Sequence, residues 1–435
     1  MKFRAVSVFL LSGGLVAACL SSAPKEISVG MLVQRDLRVP TPWHELSEDE
    51  QRRFDMGHAV FNTGWSPANK PPGRRDGLGP IFNSQSCDSC HNSRRRGRGP
   101  RGNGVAPGNL VIQLGKRLDD GSVVRGTDEY GFILNTSSVE GATDEASVSI
   151  EYTYKDFVLA DGTDIPLYTP YYKLDDFSGD KLPPSTVLMP RMPSAIFGVG
   201  LLESVPKTTI VTIASEQTQQ GRVSGRVSHV GDQIGRFGWQ ATEPTVASQT
   251  AAALSREMGL TTTLISHADC GRRNRVCDST AAAAPEVEPE LFNALVEFQR
   301  LHAVPIGAVR STTAVGSLIF RDLGCADCHR PSLKISAGKE IHPFTDLLLH
   351  DLGQDLDDRD ISGRTVHSEW RTAPLWGLNA SVQSGQPLRL LHDGRARSIE
   401  EAILWHSGTA EKVRDAYALL PQAERKLLVE WLSTL

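Results

Sequence analysis

The sequence predicts a mainly α fold made of two successive small helical domains, the first carrying an inserted antiparallel β region. Three observations support this. The pentapeptide C-x-x-C-H occurs twice, as Cys87-Asp88-Ser89-Cys90-His91 and Cys325-Ala326-Asp327-Cys328-His329. Each copy follows a stretch of helical apolar spacing with a glycine and an aromatic four apart, Gly57 and Phe61 in the first, Gly316 and Phe320 in the second. Each copy is also answered by an amphipathic closing stretch, Leu295-Val296-Glu297-Phe298 and Leu428-Val429-Glu430-Trp431. A glycine on the leading helix lets the closing helix come close, and the aromatics then meet beside the motif.

The chemistry of the pentapeptide is specific. Two thiols three positions apart add to the two vinyl groups of one porphyrin, and the adjoining histidine lies under the iron as its proximal ligand. Two covalently bound haem c groups are therefore expected, held by Cys87, Cys90 and His91 and by Cys325, Cys328 and His329, in cytochrome c-like domains. The competing assignment is zinc, which C-x-x-C pairs also hold; zinc ribbons do not require a histidine directly after each pair.

The N-terminus predicts export. Lys2 and Arg4 precede an apolar run, Ala5 to Ala18, that is too short to span a bilayer, and Leu15-Val16-Ala17-Ala18-Cys19 has the form of a lipobox. Residues 1–19 are expected to be a lipoprotein signal with lipid on Cys19, placing the chain on the periplasmic side with a membrane contact through that anchor alone. An ordinary signal peptide with an incidental cysteine is the alternative. Of seven cysteines, Cys270 and Cys277 then remain; a disulfide between them suits an oxidising compartment, and free redox thiols are the competing assignment.

Residues 20–45 form a linker, residues 46–304 the first domain and residues 305–435 the second. Within the first, residues from about 105 to 185 alternate apolar and polar positions between turns, as in Ser149-Ile150-Glu151-Tyr152-Thr153, which predicts β-hairpins. Pro289 to Ala303 closes that domain. The 435 residues are 40% hydrophobic and 22% charged, with a net charge of −5. Such a chain buries more than one core, and its charge argues against a nucleic-acid partner.

Framed this way, the chain resembles the di-haem oxidoreductases of the peroxidase-like ("thiol oxidoreductase") family, relatives of the bacterial di-haem cytochrome c peroxidases and of MauG. Besides the haem motifs, the resemblance rests on Gly77-Leu78-Gly79-Pro80-Ile81-Phe82-Asn83, Gly200-Leu201-Leu202-Glu203, Arg236-Phe237-Gly238-Trp239-Gln240-Ala241, the segment Glu369 to Gly377, and Leu391-His392-Asp393-Gly394-Arg395-Ala396. It implies reduction of hydrogen peroxide or another small oxidant at the N-terminal haem, with electrons relayed by the C-terminal haem from a small redox protein. Two alternatives stand beside it: MauG-like oxidation of a protein substrate, and a non-catalytic electron-transfer or haem-binding lipoprotein.

The resemblance also implies residue roles. His406 falls where relatives carry the second axial ligand of the C-terminal haem, methionine in peroxidases and tyrosine in MauG. A histidine there lowers the reduction potential relative to methionine. No histidine lies between His91 and His229, so the first iron is expected to keep an open position unless His58 or His229 reaches it. Glu203, after the apolar run Ile196 to Leu202, is the candidate acid/base, with a capping or salt-bridging role as the alternative. Trp239 is the candidate inter-haem aromatic, with a core role as its alternative, and Arg191 and Arg236 are candidates for haem propionates. The run Arg94, Arg95, Arg96, Arg98 and Arg101 reads as a solvated loop or as a docking surface for an acidic partner. The acidic stretch His350 to Asp358 lacks the spacing of a known calcium loop.

Overall fold

The computed structural model describes residues 39–67, 75–91, 95–100, 102–107, 109–178, 182–273, 285–305, 314–336 and 338–435. The signal segment with Cys19, and Cys277, lie outside the described residues. Cys270 is held in a disulfide.

The internal repeat is realised as two helix crossings. In the first half, the helix Glu48–Asn62 starts at a capping box, the Ser47 hydroxyl receiving the Glu50 amide while the Glu50 carboxylate receives the Ser47 amide. It crosses the helix Pro289–Leu301 at Gly57, where an added Cβ would lie 2.1 Å from the Ala294 carbonyl oxygen and 2.6 Å from the Phe298 Cβ. In the second half, the helix Val315–Leu323 crosses Gln422–Leu432 at Gly316, where an added Cβ would lie 2.4 Å from both the Leu427 oxygen and the Trp431 Cβ. The aromatics pair in the same way: Phe61 and Phe298 ring centres are 5.6 Å apart, and Phe320 and Trp431 are 5.2 Å apart.

The crossings aim the motifs. The Val315–Leu323 helix ends at Gly324, whose φ of 95° turns the chain directly into Cys325; a residue with a Cβ adopts that backbone only under strain. The first motif is itself a short helix, Cys87–His91. Phe61 lies 6.1 Å from the His91 ring and Phe320 lies 6.5 Å from the His329 ring, centre to centre.

The mainly α expectation is overturned: the fold is mixed, 30% helix and 22% strand, with several sheets. The β structure is also not confined to the inserted region. A five-stranded antiparallel sheet runs in the order Thr365–Val366, Asp358–Asp360, Thr186–Arg191, Val111–Arg117, Val123–Arg125, so two of its strands come from the C-terminal half. Sequence pattern missed this for two reasons. Thr186–Arg191 is buried almost throughout and shows no alternation, while Asp358–Asp360 reads as an acidic loop. Its carboxylates are neutralised by arginines, two of them from across the fold: Asp358 by Arg191, and Asp360 by Arg117 and by the nearby Arg364.

A second sheet joins Gly104–Val105 to the hairpin Ser147–Val158 and Asp164–Asp175. The tip of that hairpin leaves its own half. Leu159 and Leu167 are buried among Phe320, Tyr417, Leu428 and Trp431 of the C-terminal core, and the Ala160 amide donates to the Ala418 carbonyl. The larger core gathers the Glu48–Asn62 and Pro289–Leu301 helices with the helix Val246–Met258 and the segment Ile196 to Val205. Among the described residues, no helix is long and apolar enough to cross a membrane.

The close crossing gives a direct test. Gly316→Ala places a methyl against backbone that cannot move away, so we expect a loss of about 1–3 kcal/mol, the usual cost of overpacking, as a lowered midpoint in urea unfolding. An unchanged midpoint would contradict the crossing.

Candidate functional site

Both motifs open into one cavity of 480 Å³. Its walls include Cys87, Cys90 and His91 from the first motif, Cys325, Cys328 and His329 from the second, and His406. Between them lie Trp239, Trp370, Trp376, Arg96, Arg371 and the inward face of the Val246–Met258 helix, carrying Gln249, Ala253 and Glu257.

Three histidines share one hydrogen-bonding arrangement. The Nδ1 atoms of His91, His329 and His406 lie 2.8, 3.0 and 2.6 Å from the carbonyl oxygens of Ser194, Phe344 and Ala402. A carbonyl only accepts, so each Nδ1 carries the proton and each Nε2 keeps its lone pair, the tautomer a metal requires. Burial favours the neutral ring in all three, pushing His329 down to about 4 and holding His91 and His406 below the ordinary histidine value.

The rings of His329 and His406 face each other with centres 6.4 Å apart. A metal–imidazole bond of about 2.0 Å, with each nitrogen about 1.1 Å from its ring centre, puts two ligands on opposite sides of one metal about 6.2 Å apart. The spacing therefore fits a single iron held between them. Among the described residues no second imidazole faces His91. His58 bonds Asn62 and packs on Phe298 outside the cavity wall, and His229 sits on the short strand His229–Val230, also away from it. His350 and His392 do line the cavity, but His350 is tied to Asp346 at 2.8 Å and His392 lies flat on Trp370, ring centres 3.8 Å apart.

The geometry does not suit zinc at the first motif. Among the described residues, the one group of three or more Cys, His, Asp or Glu ligand atoms lying within 4.8 Å of one another is Cys328, Asp346 and His350. That group is closed by internal hydrogen bonds, with Gln217 donating to Asp346 and Asp346 paired to the His350 ring.

Two expected roles are corrected. Glu203 is not a cavity residue: its carboxylate accepts from the Arg300 guanidinium at 2.6 and 3.0 Å and from the Val246 amide at 2.8 Å, so it joins two helices and caps a third. Arg191 is already paired with Asp358 through two contacts of 2.8 and 2.7 Å, and Arg236 donates to the Leu202 and Val205 carbonyls. Trp239 does stand in the cavity, its indole N–H donating to the Met192 carbonyl at 2.8 Å.

Other cavity residues carried no strong sequence signal. Arg96, one letter in an arginine run, turns inward over the Trp239 ring at 5.1 Å; Arg94 and Arg101 lie outside the described residues. Glu257 follows no motif, yet it is the carboxyl that burial places on the cavity wall, pushed up to about 8.

The profile of the family described as "Di-haem oxidoreductase, putative peroxidase" matches residues 32–115 and 136–435, and the chain belongs to that family. Its cofactors are haems. No protein with a curated description matches the chain. Among solved structures, hydrazine synthase of Kuenenia stuttgartiensis is similar at 19% identity, over 51% of this chain and 80% of that one, with a TM-score of 0.27.

Glu257 gives a pH prediction. Its pKa is raised from the ordinary 4.5 to about 8 on folding, so between those values the folded state binds the proton more tightly and stability falls as pH rises. Glu145 and Asp269, pushed up by burial to about 7 and about 6, act in the same direction. Urea midpoints should fall from pH 5 to pH 8 in the wild type and fall less in Glu257→Gln; equal slopes would show that Glu257 is not desolvated.

Proposed function

We propose that the chain is a c-type di-haem peroxidase, reducing hydrogen peroxide at its N-terminal centre with electrons arriving through its C-terminal centre from a small redox protein. Cys87 and Cys90 hold one porphyrin by thioether bonds and Cys325 and Cys328 the other, with His91 and His329 as proximal ligands and His406 as the second ligand of the C-terminal iron. The observation that carries the reading is the asymmetry of the cavity: an imidazole pair 6.4 Å apart at one motif, and at the other a motif histidine, backed by Phe61, that no second imidazole faces among the described residues. When bound, the irons supply one-electron redox change and, where a coordination position stays open, a Lewis-acidic site for a small oxidant.

The protein supplies orientation and protons. Ser194, Phe344 and Ala402 fix the three imidazoles through their carbonyls. Reduction of hydrogen peroxide to two waters takes two electrons and two protons. Glu257, which keeps its proton at neutral pH on the cavity wall, takes the proton-handling role that the ion pair of Glu203 denies to that residue.

His406→Ala should turn the signal of one ferric haem from low-spin to high-spin in electron paramagnetic resonance while both haems stay attached. An unchanged spectrum removes His406 as a ligand. In stopped-flow mixing with hydrogen peroxide, substitution of His91 should abolish the fast phase. Glu257→Gln should slow that phase by about 10²-fold, the scale of a lost acid/base, whereas Glu203→Gln should leave it intact. A fast phase surviving the loss of His91 would reverse the roles of the two centres.

Thioether attachment is completed outside the cytoplasm, which favours the periplasmic side with lipid on Cys19. Cys19→Ser should then release the protein from the membrane fraction into the soluble periplasmic one; retention on the membrane would refute the anchor.

A further inference from the structure

Four arginines are buried among the described residues: Arg191, Arg371, Arg395 and Arg425. Three of them meet a carboxylate, Arg191 with Asp358 at 2.7 Å, Arg395 with Asp393 at 2.9 Å and Arg425 with Asp161 at 2.9 Å. Arg371, 7% exposed, meets none. Its Nε donates to the Gly238 carbonyl at 3.1 Å and one terminal nitrogen to the Thr372 carbonyl at 3.2 Å. Its backbone amide donates to the Trp239 carbonyl at 2.8 Å.

Arg96 approaches the same tryptophan from the other strand of chain. Its guanidinium lies 5.1 Å from the Trp239 ring centre and donates to the Leu391 carbonyl at 2.8 Å, while its buried Nε has no partner. No carboxylate pairs with it among the described residues. Burial pushes both guanidiniums down to about 10, aided at Arg96 by the nearby Arg371 charge and opposed at Arg371 by the attraction of the Asp346 carboxylate, which forms no ion pair with it. Two like charges close enough to repel, on the wall of a cavity that both motifs line, are costly unless anions complete the set.

We propose that Arg96, over the Trp239 ring, and Arg371, bonded to the Gly238 carbonyl, form a seat for the propionate carboxylates of the two porphyrins. The inference rests on the di-haem reading and extends it to the inner edge of the cofactors. The cysteines would hold the vinyl edge of each porphyrin, and the propionates, on the other edge of the macrocycle, would fall within the same cavity whose wall carries Trp239, Arg96 and Arg371. The planar fork of arginine matches a carboxylate through two hydrogen bonds, which a lysine cannot reproduce. Seating the carboxylates also changes what Trp239 can do. A positive charge on its ring is disfavoured beside two bare guanidiniums and becomes accessible once they are neutralised.

The test is a spectroelectrochemical titration of the full-length holoprotein, with haem content measured separately by pyridine haemochrome. Arg96→Gln and Arg371→Gln should each keep two haems per chain yet lower the reduction potential of at least one, because loss of a nearby positive charge favours the ferric state. A tenfold change in the ferric-to-ferrous ratio at fixed applied potential is expected, a shift of about 59 mV for a one-electron couple. Added inorganic phosphate should not alter it. Unchanged potentials with both haems in place would overturn the proposal, as would a shift in the wild type produced by phosphate, which would make the seat one for a free anion. Should a Gln variant fail to accumulate with haem, Arg96→Lys and Arg371→Lys supply the readout. Their resonance Raman propionate bending bands should move as the fork becomes a point charge, and unmoved bands would equally overturn the proposal. Failure to find two haems in the wild type would instead refute the di-haem reading itself.

Discussion

The Arg191–Asp358 ion pair is the contact on which the arrangement of the two halves depends. Arg191 ends the strand Thr186–Arg191 of the N-terminal half, and Asp358 opens the strand Asp358–Asp360 of the C-terminal half. Both are almost fully buried, so removing either leaves an uncompensated charge, which typically costs about 3–5 kcal/mol. The pair fixes the pairing of Arg359 with Leu188 and of Asp360 with Val187. Through the Ser368 hydroxyl, which donates to Asp358 at 3.1 Å, it also reaches the strand Glu369–Arg371. Arg191 then lies over the Trp370 ring at 4.7 Å, and His392 stacks on that same ring. One buried contact thus sets the sheet, the middle of the cavity wall and the segment that delivers Arg371.

A cavity shared by two motifs is a consequence of that sheet. Two independent helical domains would each enclose their own cofactor. Here the cross-sheet strands hold the halves face to face, and the hairpin tip with Leu159 and Leu167 pins the far side into the C-terminal core. Function follows from the asymmetry that remains. The halves repeat the same glycine crossing, the same aromatic beside the motif histidine and the same Nδ1-to-carbonyl bond, but only the second presents a facing imidazole among the described residues.

Much of the site was legible in the sequence because its chemistry is local. Cys87, Cys90 and His91 lie within five consecutive positions, and Gly57 with Phe61, or Gly316 with Phe320, lie on one helical turn. His406 needed a resemblance, and the structure brings its ring to the His329 ring. Glu203 shows the opposite outcome: an apolar run before a carboxylate looks the same whether the carboxylate enters a cavity or meets Arg300, 97 positions away. The mainly α expectation failed for a related reason, since Thr186–Arg191 becomes a strand by pairing with Val111–Arg117 on one side and Asp358–Asp360 on the other, partners distant in the sequence.

The sequence by itself determined the two motifs, their helical frames, the glycine crossings and the hairpins of the insertion, because each is a pattern of periodicity or spacing within a few turns of chain. Tertiary structure alone decided that the halves share one sheet and one cavity, that Arg191 is spent on Asp358, and that Arg96 and Arg371 meet at Trp239. Burial and charge neutralisation depend on which distant groups arrive at the same place. No local pattern records that.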